Sequence, residues 1–129
     1  MSIDILVLVE DLLFLSKIQQ TAQTLGVTVK AVEPAKAIEQ AAQDQPKAVI
    51  LDLNHRSLSA IETARALKAN PATQLIHIVG FVSHVQMDLV NAAHEAGCDM
   101  VLARSAFSRQ LPQFLKKFVG SDSAASPGH

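Results

Sequence analysis

The stretch "AVILDLNHRSL", residues 48–58, decides how the rest of this chain is read. Ala48–Leu51 is an unbroken apolar run, and a run that short is how a strand buried on both faces reads. Asp52 follows at once, so the most hydrophobic part of the chain ends in a carboxylate. Either the strand meets solvent there and the acid is merely hydrated, or Asp52 stands at the mouth of a sheet where an acid can do chemistry. The flanking sequence bears on that choice.

Outward from this strand, short β-like runs alternate with helical patterns. "IDILVLV" (3–9), "VTVKAV" (27–32), "LIHIVGF" (75–81) and "MVLA" (100–103) read as the other strands. Between them, Leu15, Ile18, Ala22 and Leu25 recur at helical spacing, with Gly26 as the stop. Pro34 is placed to open a helix carrying Ile38 and Ala42. Ile61, Ala64 and Leu67 mark a third helix, which Asn70-Pro71 ends. Val85, Leu89, Ala92 and Ala96 mark a fourth, closed by Gly97. Phe107, Leu111, Phe114 and Phe118 form the apolar face of the last. Strands and helices that alternate in this way specify an α/β fold, a parallel sheet with helices on both faces, because every parallel crossover needs a helix.

Composition excludes several classes of function. The chain has 129 residues, is 49% hydrophobic and 18% charged, and carries a formal net charge of −1, which fits one globular domain rather than a disordered segment. Near-neutral charge gives no electrostatic basis for nucleic-acid binding. Tyr and Trp are missing, so stacking platforms for bases are scarce. A lone Cys98 rules out an internal disulfide and suits a reducing compartment. The apolar N-terminus lacks a basic leader and is broken by Asp4, Glu10 and Asp11, and no uninterrupted apolar run is long enough to span a bilayer. The expectation is a cytoplasmic protein.

Ligands of doubly wound sheets bind beyond the carboxyl ends of the strands, near the point where strand order reverses. The strand ends here carry Glu10 and Asp11, Asp52, Val82 and Ser83, and Arg104 and Ser105. Clustered carboxylates repel unless a cation neutralises them. Mg²⁺ suits oxygen ligands, so Glu10, Asp11, Asp52 and the backbone carbonyl of Asn54 are its expected ligands. A carboxylate beside such a cation can attack a phosphoryl group and become an aspartyl phosphate. Arg104 would steady the phosphoryl oxygens and Ser83 would donate a hydrogen bond. Read singly, Glu10 and Asp11 equally suit a helix N-terminus, and Arg104 equally suits a salt bridge to the acids with no phosphate involved. His55, His77, His84 and His94 show no metal-ligand spacing. Neither G-x-G-x-x-G nor G-x-x-x-x-G-K-[ST] occurs.

Residues 3–118 resemble the receiver domain of bacterial response regulators in two-component systems. The resemblance rests on "VED" with Glu10 and Asp11 after the first strand, "ILDLN" with Asp52 ending the third, and "VLARSAF" with Arg104 after the fifth. It implies a flavodoxin-like, doubly wound, five-stranded parallel sheet in the order 2-1-3-4-5 with five helices. It further implies Mg²⁺ on the acidic pair and phosphorylation of Asp52 by a sensor histidine kinase or a phosphotransfer protein. The family's switch hydroxyl falls 30 residues after the acceptor, which here is Val82, with Ser83 next. Its switch aromatic is Val101, its Lys is Arg104, the Pro after that Lys is Ser105, and the loop after the acceptor is "HRSLSA" (55–60). The metal and phosphate residues are thus largely kept, while the parts that read phosphate out are replaced.

The expected molecule is a stand-alone, atypical receiver over residues 1–119 with a disordered tail, 120–129. It is a signalling protein rather than an enzyme, with no DNA-binding or membrane segment. Its output would pass by contact with a downstream protein, or a homodimer, through the fourth helix, fifth strand and fifth helix. The alternative is a pseudo-receiver that acts as an interaction or dimerisation module without phosphate. An aspartyl-phosphate hydrolase would need a general acid or base that is not evident beyond the acid pair.

Overall fold

The computed structural model describes residues 3–55, 59–83 and 86–118. In chain order the elements are β1 (Ile5–Leu8), α1 (Leu12–Leu25), β2 (Val29–Ala31), a 3-10 turn (Pro34–Lys36), α2 (Ala37–Asp44), β3 (Ala48–Asp52), α3 (Ala60–Ala69), β4 (His77–Val82), α4 (Met87–Ala96), β5 (Met100–Ala103) and α5 (Arg104–Lys116). The strands form one sheet in the order β2-β1-β3-β4-β5, and each neighbouring pair runs parallel. The order reverses between β1 and β3, which pair from Ile5↔Ala48 to Leu8↔Leu51. That register sets the residues following Leu8 beside Asp52.

Strand alternation divides the apolar residues between two cores. One face carries Leu6, Leu8, Val49, Leu51, Ile78 and Val82 against Ala64, Leu67, Ala93 and Ala96 of α3 and α4. The other carries Ile5, Val7, Ile50, Val79 and Phe81 against Phe14 and Ile18 of α1 and Phe107, Leu111 and Leu115 of α5. All five phenylalanines lie on this second side and touch in sequence. Phe14 meets Phe81 edge-on at 5.1 Å between centroids, and Phe81 stacks on Phe107 at 5.6 Å. Phe107 meets Phe114, and Phe114 meets Phe118.

Several boundaries differ from the sequence expectation. The fourth strand starts at His77 rather than at Leu75, which is 93% exposed. The preceding turn continues to Ile76, whose N–H donates to the Thr73 carbonyl, while the buried Thr73 hydroxyl donates to Leu67 O. The strand also runs one residue further, to Val82. Phe14, not Leu15, heads the buried face of α1, and Ala93 replaces Ala92 on that of α4. Pro34 opens the 3-10 turn, and α2 itself starts at Ala37, with Ala37 and Ala41 more deeply buried than Ile38 and Ala42. α5 runs through Pro112, which faces solvent; a proline there removes one bond to the preceding turn, and packing of the buried face holds the helix. Val85, His84, half of the loop after Asp52 (56–58 of 55–60) and the expected tail (120–129) lie outside the described residues.

Polar groups at the opposite end of the sheet are structural. Asp99 accepts from the Ile78 N–H at 2.8 Å and pairs with Lys68 Nζ at 3.2 Å; Lys68 Nζ also donates to Ile76 O. Burial opposes ionisation of Asp99, but the Ile78 N–H and Lys68 outweigh it and hold the carboxyl below its usual range. Cys98 is buried beside them, and burial, helped by Asp99, pushes its thiol up to about 11, so it behaves as a small core residue. Among the described residues no helix is long and apolar enough to cross a membrane.

Gly80 is the tightest point near the site. A Cβ there would lie 2.9 Å from Leu53 Cδ1 and 3.0 Å from its Cγ, and Leu53 is itself buried. Gly80→Ala is therefore expected to destabilise the fold by about 1–3 kcal/mol. A lowered midpoint in urea unfolding at unchanged slope would register this, and an unchanged midpoint would mean that Leu53 yields without cost.

Candidate functional site

Asp52 is the last residue of β3 and is only 7% exposed. A carboxylate so placed needs hydrogen bonds to replace water. Oδ1 accepts the Asn54 N–H at 3.0 Å, and Oδ2 accepts the Glu10 N–H at 3.4 Å. The second bond follows directly from the β1–β3 register.

Asp11 is the N-cap of α1. Its extended backbone lets Oδ1 accept from Leu13 N at 2.9 Å and Phe14 N at 3.3 Å, satisfying donors that the first helical turn leaves open. Its Oδ2 accepts from Arg104 Nη2. Arg104, the first residue of α5, also lays its guanidinium over the Phe14 ring, with Cζ 4.5 Å from the centroid. The Arg104 hydrogen bond, followed by that of the Phe14 N–H, holds the Asp11 carboxyl below the usual carboxylate range.

The remaining residues complete one cleft. Val82 is buried among the side chains facing α3 and α4, and the chain bends immediately after it, bringing Ser83 to the cleft wall. Bending at the strand end is what lets a residue adjacent to Val82 serve this side. The Ser83 N–H donates to Asn54 Oδ1 at 2.8 Å, and Asn54 Nδ2 donates to Gln86 Oε1 at 3.0 Å. Glu10, Asp11, Asp52, Asn54, Ser83 and Arg104 together line a cleft of about 280 Å³. His55 is half-buried and does not line it, and Val101 packs against the α3/α4 core.

Two participants escaped the sequence reading. Phe14 belongs to the same helical period as Ile18 and Ala22, so periodicity carries its signal. Gln86 carries none, because its contact with Asn54 spans 32 residues.

The oxygen donors on this cleft are of the chemistry that suits Mg²⁺. Their present arrangement is that of an ion pair: among the described residues no group of three or more His, Cys, Asp or Glu side chains is set to hold a metal. Asp11 commits one oxygen to the helix cap and the other to Arg104. A divalent cation at this cleft would compete with Arg104 for the Asp11 carboxylate.

No protein-family model and no curated protein matches the sequence. Solved structures do match, and they identify the architecture as the fold of response-regulator receiver domains. A response regulator from Hahella chejuensis superposes with a TM-score of 0.81 at 20% identity, covering 94% of this chain and 98% of that one. The receiver domain of the sensor histidine kinase PA1611 from Pseudomonas aeruginosa PAO1, which has a magnesium ion coordinated in its active-site cleft, gives 0.78 at 19% identity over 94% and 100%. The phosphorylated cyanobacterial phytochrome response regulator RcpA gives 0.75 at 19% identity over 99% and 100%.

Removal of Arg104 tests the ion pair. In Arg104→Met the Asp11 carboxyl loses its main stabiliser and its titration midpoint rises towards the ordinary value, observable on the side-chain carboxyl carbon by NMR. Because the folded-state value is the depressed one, the pair stabilises the fold above the unfolded carboxylate value and is lost as pH falls through the folded one. Acid unfolding of Arg104→Met is thus expected to lose the part of the wild-type slope that lies below the ordinary carboxylate range. An unmoved Asp11 midpoint would show that the helix cap alone sets its ionisation.

Proposed function

We propose that this protein is an atypical receiver in which Asp52 accepts a phosphoryl group from a phosphohistidine of a sensor histidine kinase or phosphotransfer protein. The observation that supports it most is the meeting of Glu10, Asp11, Asp52, Asn54, Ser83 and Arg104 on one cleft at the reversal point of the sheet.

The chain's own groups account for the chemistry. Asp52 Oδ2 has the longer of the two backbone hydrogen bonds and is the more available nucleophile. It attacks phosphorus as the P–N bond of the donor breaks, and the imidazole leaves with a proton from water. Arg104, released from Asp11, offers a planar pair of donors to the phosphoryl oxygens. The Ser83 hydroxyl donates to another of those oxygens. Mg²⁺, held by Glu10, Asp11, Asp52 and the Asn54 carbonyl, would neutralise charge on the transferring group. No turnover is required, so the role is signalling rather than catalysis. Output passes by protein contact through α4, β5 and α5, to a downstream partner or a second copy, without DNA binding, in the cytoplasm.

A second reading has its own support. Asp11 and Arg104 neutralise each other, and the side chains of Val82, at the end of β4, and Val101, within β5, offer no polar atom. These features suit a pseudo-receiver whose partner binds the unmodified chain.

Incubation with acetyl phosphate, followed by intact-mass measurement, separates the two. A phosphoryl-sized gain that needs both Mg²⁺ and Asp52, and is lost in Asp52→Ala, is the expected result. No gain across donors and times, with an active receiver labelled alongside, would remove the first reading in favour of the second.

A further inference from the structure

We infer that Asn54 is a positioning residue that mechanically ties the Asp52 carboxylate to the start of α4. Its backbone N–H is one of the two groups bonded to that carboxylate among the described residues, at 3.0 Å to Oδ1. Its side-chain amide then uses both ends in opposite senses. Oδ1 accepts from Ser83 N at 2.8 Å, and Nδ2 donates to Gln86 Oε1 at 3.0 Å. Gln86 immediately precedes α4, makes no side-chain cap of its own, and receives the Val90 N–H on its carbonyl at 3.0 Å.

The result is a continuous path, Asp52 to Asn54 to Ser83 and Gln86, and on to the first turn of α4. No other residue type of similar size reproduces it: Asp keeps the acceptor and loses the donor, and Leu keeps neither. Val82, the neighbouring side chain at the end of β4, is 1% exposed and wholly apolar, so it cannot follow a change of charge at Asp52 by hydrogen bonding. Phosphorylation of Asp52 at Oδ2 would turn the carboxylate into an acyl phosphate, leaving Oδ1 an uncharged carbonyl oxygen with a weaker hold on the Asn54 N–H. A shift of Asn54 then moves both of its side-chain partners. Met87, 59% exposed on the first turn of α4, is carried with them.

The signalling use of this path rests on Asp52 being the phosphoryl acceptor, but the link itself does not, and a double-mutant cycle on unmodified protein tests it alone. Residue-resolved amide exchange by NMR is the readout, with Ile50 and Val79 as controls for global folding. Asp52→Ala removes the acceptor of the Asn54 N–H and is expected to speed exchange at Ser83 and Val90 by about threefold to fivefold, the scale of one weakened hydrogen bond. Asp52→Asn, which keeps an acceptor, gives a smaller change. In a Gln86→Ala background, Asp52→Ala still speeds Ser83 but no longer alters Val90, and Gln86→Glu, which retains an acceptor for Asn54 Nδ2, restores the Val90 response. An equal Val90 response to Asp52→Ala with and without Gln86 would overturn the inference. Failure of phosphoryl labelling in the mass experiment would remove the acceptor role and leave this cycle to decide the link on its own.

Discussion

A parallel sheet delivers the ends of all its strands to the same edge, and in this molecule the functional arrangement follows from that constraint. β1 and β3 are central neighbours in register from Ile5↔Ala48 onward, so the residues that follow them are forced together without any local sequence signal asking for it. The Glu10 N–H reaches Asp52 because Leu8 is level with Leu51. Asp11 then caps α1, and β5 returns the chain to the same edge just where Arg104 begins α5. Burial of the strands on both faces is what makes the register firm, since a one-residue slip would turn each core residue to the wrong helix layer.

On that edge one of the three carboxylates, Asp11, is neutralised from within the chain. An isolated acid pair would need an external cation, but Arg104 supplies one from within the chain and is itself held twice, by Asp11 and by the face of Phe14. A lysine could not fill this position in the same way. Its ammonium offers a point charge, whereas a guanidinium can donate along its edge to a carboxylate while its plane lies on a ring. The two functional readings differ on whether this pair is a resting state that opens or the permanent condition of the molecule.

Asp52, Glu10, Asp11, Ser83 and Arg104 were all legible as strand-end residues, because the alternation of apolar runs and helical periods marks where each strand stops, and a parallel topology does the rest. Helix faces were legible to within one residue: Phe14 and Ala93 share the periods of residues that were recognised. Leu75 misled, since an apolar residue beside Ile76 looks like strand until the Thr73 turn is seen to occupy its backbone. The pairing of Arg104 with the acids was open as one alternative from charge alone, but its choice of Asp11 was not. Asn54 was readable only as a backbone-carbonyl ligand to a cation; the two uses of its side chain depend on loops brought together across the sheet, and one-dimensional patterns carry no trace of them.

The file of phenylalanines also sets how the molecule presents itself to light. With no Tyr or Trp in the chain, all of its aromatic chromophore runs in contact from Phe14, under Arg104, to Phe118 beyond the end of α5. The near-ultraviolet spectrum therefore belongs wholly to the α1/α5 side, while the layer formed by α3 and α4 is optically dark. A rearrangement confined to α4 would leave circular dichroism in that region untouched, and one that moves Arg104 off Phe14 would register at the first ring of the file.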